Sequence, residues 1–374
     1  MKRKKVVIIN ALKFYRIKFM ELLKQKCNEN NIDLVLIYNK DDKIPFNDAE
    51  IEWGIKIRNY KINILGKSLY FQPVFKHIKN ADLIIVNQAT KLLINYYLWF
   101  LNLLGVYKIA FWGHGKNFQN KNFFSISEFI KKIMTRSIAH FFAYNDLSRK
   151  IVEEIGLPKS RITVVNNTID VESIIEECKK YDVKKLLEFK RKLGLVSENI
   201  CIYVGGMYRE KRISFLLKAL KLVREKIKDF EFIFIGDGPD KDLILQANKE
   251  YNWVHYYGVK TENEKIPFML ISKLLLMPGL VGLVIIDAFT FGLPLVTTDC
   301  KIHSPEIDYL ENGINGIMTE NNLTDYTNAV IKLLENENER QKLVKGCKKS
   351  ASKYTMENMV NNFFNGILSA INLK

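Results

Sequence analysis

The sequence predicts an α/β protein made of two Rossmann-like, doubly wound parallel-sheet domains facing a cleft. Three observations carry that prediction. The chain has 374 residues, more than a single hydrophobic core usually serves. Short apolar runs alternate with helix-length segments along it, the pattern of strands joined by helical crossovers. The pattern also starts afresh at residues 200–204, after a charged stretch. The expected boundaries are a first domain at 1–170, a linker region at 171–195, a second domain at 196–354 and a terminal helix at 355–374. In such sheets a ligand binds outside the carboxyl ends of the strands.

Taken in order, residues 6–9 are a buried strand behind a basic leader. The apolar run is too short for a secretory signal and has no small-residue cleavage site after it. A helix with apolar Phe14, Ile17, Leu22 and Leu23 follows, then a strand at 34–38 and a polar turn at 41–47. Residues 81–86 form the next strand. Residues 91–104 form the most apolar helix, which falls short of the ~20 residues a membrane span needs. A strand at 108–112 stops at Gly113-His114-Gly115. Residues 141–144 are a strand and 146–155 a helix, closed by Gly156 and Pro158. In the second half, strands are expected at 200–204, 231–235, 254–256, 274–277 and 295–298, with helices between. There are no repeats or low-complexity tracts.

Composition narrows the class. Apolar residues make up 48%, enough for full cores. The five cysteines are scattered without a CxxC pair, which points to a reducing compartment and away from a disulfide frame or zinc site. The formal net charge is +16, and it is unevenly placed. Residues 1–150 hold 26 Lys and Arg against 11 Asp and Glu, whereas residues 151–374 hold 31 against 30. An even spread of solvated lysines would not concentrate in one half.

The stretch from Pro278 to Asp299 reads as strand end, loop, helix and next strand. Pro278-Gly279 breaks the run at 274–277, a helix is expected over 282–291, Gly292 is its C-cap and Pro294 bars further helix. The loop and helix start offer a concave, NH-rich place for an anion, with Asp287 about one turn in. This segment resembles the donor-site motif of GT-B glycosyltransferases of retaining family 4, whose usual form is Glu-Gly-Phe-Gly-Leu-x-x-x-Glu-Ala followed by Gly-x-Pro-Val-Val. Gly282, Leu283, Ala288, Gly292, Pro294 and Val296 are kept. Gly279 stands where the family has its first Glu, which lies near the donor sugar. Asp287 stands for the second, which holds the ribose hydroxyls of the nucleotide.

Other segments fit the same resemblance in order. Gly205-Gly206-Met207-Tyr208-Arg209-Glu210-Lys211-Arg212 is similar to the Gly-Arg-Leu-x-x-x-Lys segment that grips the donor diphosphate. Lys211 matches the Lys, and Gly206 replaces the Arg, whose contact would fall to Arg209 or Arg212. A leaving nucleoside diphosphate gains negative charge, which cations and a helix start stabilise. Gly236-Asp237-Gly238-Pro239 fits the family turn and lacks the third glycine of a dinucleotide fingerprint. The segment 253–259, with Gly258 and Val259, is similar to the one whose backbone meets the base; His255 there reads as a packing residue. His114 resembles the family histidine beside the donor sugar. Tyr15 and Arg16 follow the first strand, where the family often has a glycine-rich loop, and are acceptor or sugar candidates. Glu306, in His303-Ser304-Pro305-Glu306, either contacts a sugar hydroxyl or serves as a helix-start acid. The Asn-x-x-Asp segment near 167–170 is similar to the exit from the first GT-B domain, and residues 355–373 to the helix that crosses back to it.

The resemblance implies a retaining, metal-independent hexosyltransferase-type glycosyltransferase. It would take a nucleotide-diphosphate sugar, UDP favoured over GDP, and pass the sugar to a glycan or lipid-linked acceptor in cell-surface polysaccharide or glycolipid synthesis. No cofactor and no metal is expected. A related nucleotide-sugar epimerase and a catalytically degenerate partner subunit are the rival readings. Residues 53–150 carry 15 Lys and Arg against 3 Asp and Glu, alongside Asn95-Tyr96-Tyr97-Leu98-Trp99-Phe100 and Asn122-Phe123-Phe124. Cations beside aromatics suit an anionic membrane surface and a cytoplasmic, peripheral location; the same aromatics would otherwise be core. No nucleic-acid motif is present.

Overall fold

The computed structural model describes residues 3–39, 49–64, 66–116 and 126–373. The expected turn at 41–47 and the run Asn122-Phe123-Phe124 lie outside the described residues. The chain divides into two units, Met1–Ile169 with Met356–Lys374, and Asp170–Thr355.

Unit 1 begins with β1 (Lys4–Ala11), α1 (Ile17–Glu29), β2 (Ile32–Asn39) and the short β3 (Ile55–Lys56). An antiparallel hairpin follows, β4 (Tyr60–Ile64) and β5 (Lys67–Phe71). Then come β6 (Leu83–Asn87), α2 (Leu93–Leu103), β7 (Ile109–Gly113), α3 (Ile126–Ser137), β8 (His140–Ala143), α4 (Asp146–Ile155) and β9 (Ile162–Val164). Seven strands form one parallel sheet in the order β3-β2-β1-β6-β7-β8-β9. Strand β1 shows why its run is unbroken in apolar residues. Val6 and Ile8 pack into one core with Phe19 and Leu23 of α1, while Val7 and Ile9 pack into the other with Leu98 of α2. Both faces are covered, so no alternation survives.

Unit 2 opens with α5 (Val171–Cys178) and α6 (Val183–Lys192). It continues with β10 (Ile200–Val204), α7 (Ile213–Lys226), β11 (Glu231–Ile235), α8 (Lys241–Glu250), β12 (Val254–Tyr256), α9 (Glu262–Leu270) and β13 (Leu274–Leu276). Helix α10 (Val284–Phe291), β14 (Leu295–Thr298), β15 (Gly316–Thr319), α11 (Leu323–Glu335) and α12 (Glu337–Lys353) complete it. Its six strands are parallel in the order β12-β11-β10-β13-β14-β15. The stretch 171–195, read from sequence as a linker region, is an integral part of this unit. Helix α5 packs on α9 and α10, and Phe189 of α6 meets Phe268 of α9 at 4.9 Å. A few apolar positions among many charges are enough to dock such helices.

The final helix, α13 (Met356–Asn372), belongs to unit 1 and packs on α1, β8 and β9. Phe363 stacks on Phe142 at 4.3 Å and meets Trp112 at 4.9 Å. The apolar helix expected at 91–104 is α2, and its aromatics divide between the two readings of them. Asn95 and Leu98 are buried and Tyr96 and Trp99 pack on the core, whereas Tyr97 is 45% and Phe100 55% exposed. No described helix is long and apolar enough to cross a membrane.

Candidate functional site

In each sheet the strand order reverses beside the first strand, and a crevice for ligands opens at that switch point. In unit 2 it lies between β10 and β13. The loops leaving β10, β11, β12, β13 and β14 are joined there by backbone hydrogen bonds. Gly205 N–H donates to Ile235 O (3.0 Å), Gly236 N–H to Gly258 O (2.9 Å), Leu280 N–H to Glu210 O (2.8 Å) and Ser304 N–H to Val281 O (3.0 Å). Glycines permit this closeness. A Cβ on Gly236 would lie 1.9 Å from Gly205 O, and one on Gly279 would lie 2.3 Å from Glu210 O. The acid that the family carries at position 279 therefore has no room here, because the backbone of 210–211 fills its place.

The structure brings Gly206, Arg209, Lys211, Gly258, Gly282, Leu283 and Glu306 onto this one rim. Lys211 ends a 3-10 turn and is buried. Its Nζ donates to Leu280 O at 2.6 Å, and burial lowers its pKa to about 8. The lysine holds two loops together and keeps a proton that is loosely held for an ammonium. Arg212, offered by the sequence as a substitute diphosphate cation, is committed elsewhere. Its Nη1 donates to Pro278 O, Thr298 Oγ1 and Asn321 Oδ1, and its guanidinium lies 4.1 Å from the Phe215 ring centroid. It occupies the left-handed cap position ahead of α7 at φ +59°. Arg209 is exposed and is the cation of this turn that faces solvent. An arginine at Gly206 would drive its Cβ to 2.9 Å from the Tyr208 ring.

Asp287 is buried and pairs with Lys265 Nζ at 2.8 Å. Burial pushes its carboxyl up from the ordinary value, against the pull of Lys265. The sequence reading gave Asp287 to the ribose alone; the fold adds a buried partner from α9, and Lys265 also reaches Glu262 at 2.8 Å. Leu283 caps α10, Gly282 is half-buried beside it, and Val259 is 59% exposed after Gly258, which has φ +66°. Glu306 is buried in the 3-10 turn Pro305–Tyr309. Sequence reasoning gave no role to His303. Its Nδ1 accepts from Val281 N–H at 3.1 Å and its Nε2 donates to Thr298 O at 2.7 Å, so it braces the loop between β13 and α10. Lys265 was missed as well, because nothing local marks a helical lysine as the partner of a distant acid.

In unit 1 the switch point lies between β1 and β6, where Asn87 Nδ2 donates to Asn10 Oδ1 at 3.2 Å. His114 follows β7 and stacks on Tyr144 at 4.0 Å, and Tyr144 stacks on Trp112 at 5.9 Å. Burial lowers the His114 pKa to about 4, helped by Arg16, Lys13 and Lys131. Its imidazole is thus neutral near pH 7 and suited to hydrogen bonding rather than to cationic work. Tyr15 is half-buried, and Arg16 is 5% exposed. The Arg16 guanidinium lies 4.7 Å from the Trp112 ring, 5.2 Å from Tyr15 and 5.6 Å from Tyr144. Among the described residues, no three His, Cys, Asp or Glu side chains gather as a metal site would need.

Residues 187–350 match the family model described as Glycosyl transferases group 1. The chain is 27% identical over 178 residues to the Alpha-D-kanosaminyltransferase of Streptomyces kanamyceticus, covering 45% of each chain. It is 26% identical over 149 residues to the Alpha-monoglucosyldiacylglycerol synthase of Acholeplasma laidlawii, covering 38% of this chain and 37% of that one. Each of these two alignments thus spans less than half of the relative's own length. Anabaena Alr3699/HepE, solved in complex with UDP, superposes with a TM-score of 0.72 at 14% identity, over 98% of this chain and 100% of that one. The fold is GT-B, and the second unit carries the group 1 glycosyltransferase pattern.

Proposed function

We propose that this protein transfers a sugar, with retention, from a UDP-sugar to a glycan or lipid-linked acceptor, in cell-surface polysaccharide or glycolipid synthesis. One observation carries the reading: the five strand-end loops of unit 2 converge on a rim in which Lys211 sits beside the α10 start. A donor diphosphate placed there meets the Lys211 ammonium, the exposed Arg209 and the amides of residues 282–284. Charge grows on the leaving phosphate as the glycosidic bond breaks, so these groups act most strongly in the transition state. Asp287 would accept from the ribose hydroxyls. In a retaining reaction of this kind the leaving phosphate oxygen takes the acceptor proton on the same face. The preference for UDP draws on the UDP complex of the Anabaena neighbour.

We assign the acceptor to unit 1 and a peripheral, cytoplasmic-face location to the protein. The hairpin β4–β5 and helix α2 expose Tyr60, Ile62, Ile64, Phe100, Leu103 and Leu104 in the half of the chain that carries the basic excess. The degenerate-partner reading keeps one specific support, the sterically closed Gly279. A panel of UDP- and GDP-sugars, followed by thermal shift and slow donor hydrolysis, tests the assignment. UDP-sugars should raise the melting temperature and be hydrolysed, with EDTA making no difference. Binding without hydrolysis favours the degenerate partner, and rescue by Mn²⁺ would overturn metal independence. Co-sedimentation with anionic but not neutral liposomes, weakened by salt, is expected for the peripheral location.

A further inference from the structure

The turn that follows β1 carries a buried cation, Arg16, that no described carboxylate pairs with. Arg16 ends that 3-10 turn and is the cap residue of α1. Its guanidinium is buried among the rings of Trp112, Tyr15, Tyr144 and Phe19. Nη1 reaches only the Met359 thioether sulfur, at 3.6 Å, and Nη2 has no hydrogen-bond partner. Among the described residues no carboxylate pairs with Arg16 or with Lys13, whose Nζ lies 5.9 Å from the other neighbour of Arg16, the Tyr15 ring. Aromatic faces offset part of the loss of hydration of a buried guanidinium. An unmet N–H fork in a desolvated place still lacks its natural partner, an oxyanion.

We propose that the crevice at the carboxyl end of β1 binds a phosphoester group of the acceptor, on Arg16 and Lys13. This rests on the reading of unit 1 as the acceptor unit, and it names the acceptor's chemistry. Two unpaired cations match the double charge of a phosphomonoester or diphosphate better than the single charge of a carboxylate. The fork of Arg16 suits two phosphate oxygens. Neutral His114, one ring away across Tyr144, adds a hydrogen-bonding group without adding charge.

The test uses the full chain saturated with UDP, so that the second unit's phosphate site is occupied. Inorganic phosphate and glycerol 3-phosphate are titrated by calorimetry, with vesicles carrying phosphatidic acid, a phosphomonoester, or phosphatidylglycerol, a phosphodiester, as the lipid arm. Wild type should bind glycerol 3-phosphate. Arg16→Met should bind it about ten- to a hundred-fold more weakly, Arg16→Lys should fall between them, and all three should bind UDP alike. Capture by phosphatidic acid vesicles beyond that by phosphatidylglycerol, in wild type and not in Arg16→Met, supports the site with a lipid source; binding of the soluble ester alone supports it with a soluble source. Equal affinity for glycerol 3-phosphate in wild type and both variants, or none in wild type, overturns the inference. Failure of wild type to bind UDP would sink the donor reading instead, and the phosphate titration would still decide this site.

Discussion

In unit 1 the chain leaves its first strand through a 3-10 turn that ends at Arg16. In unit 2 it leaves the corresponding strand through a turn that ends at Lys211. Both cations are buried, and both stand where the strand order reverses. Lys211 is satisfied by the Leu280 carbonyl and its neighbour Arg212 by three oxygens. Arg16 has aromatic faces and a thioether. The same topology thus yields one rim held together from within and one whose cation meets, among the described residues, only rings and a thioether. Switch-point geometry supplies the crevice, and the local partners decide whether the protein or the ligand completes its electrostatics.

The largest expected effect attacks the braced rim directly. Gly279→Glu would restore the family's acid, but its Cβ collides with the backbone of 210–211. We expect a loss of about 3 kcal/mol or more, as for other overpacked sites, together with loss of UDP binding, measured by denaturant unfolding and calorimetry. Wild-type stability in this variant would show that the loop lifts freely and that the rim is not braced.

A smaller effect separates structure from binding at Asp287. Asp287→Asn leaves the buried Lys265 with only the more exposed Glu262, and about 3 kcal/mol of stability should go with it. Adding Lys265→Met should restore most of that stability while UDP affinity stays about ten-fold down, since the ribose loses an ionised acceptor. Recovery of UDP affinity in the double variant would make Asp287 a partner of Lys265 and nothing more.

The smallest effect is a proton. Burial depresses Lys211 from 10.5 to about 8. Between those values the unfolded chain holds a proton that the folded chain has released, so the lysine's contribution to stability rises with pH across that window. A bound diphosphate favours the charged form. UDP binding just above pH 8 should therefore take up a fraction of a proton in wild type and none through this group in Lys211→Met. Calorimetry in buffers of different ionisation heat reads the difference. Equal uptake in both would remove Lys211 from the phosphate and leave it a purely internal brace.

Much of this was legible beforehand. Strands such as β1, β10 and β11 are continuous apolar runs, and the glycines at 236, 238 and 292 mark turns that other residues would strain. What escaped the sequence was the identity of partners. In the region 171–195 charges dominate locally, and the packing of α5 and α6 on α9 shows only in the fold. Arg212 was offered with Arg209 as a diphosphate cation, and nothing in the sequence signalled that Pro278, Thr298 and Asn321 would accept from it.

The sequence by itself determined the alternation of strands and helices, the place where the pattern restarts, and which loops carry cations and glycines. Those are properties of neighbours along the chain, set by periodicity and backbone freedom. Only the tertiary structure decided that Gly279 is closed by residues 210–211, that Asp287 faces Lys265, that His303 props Val281, and that Arg16 lies among aromatic rings with no described carboxylate beside it. Each of these depends on groups far apart in sequence meeting at short range in a desolvated interior. There a hydrogen bond or a charge is worth far more than in water, and its partner is set by packing rather than by residue type.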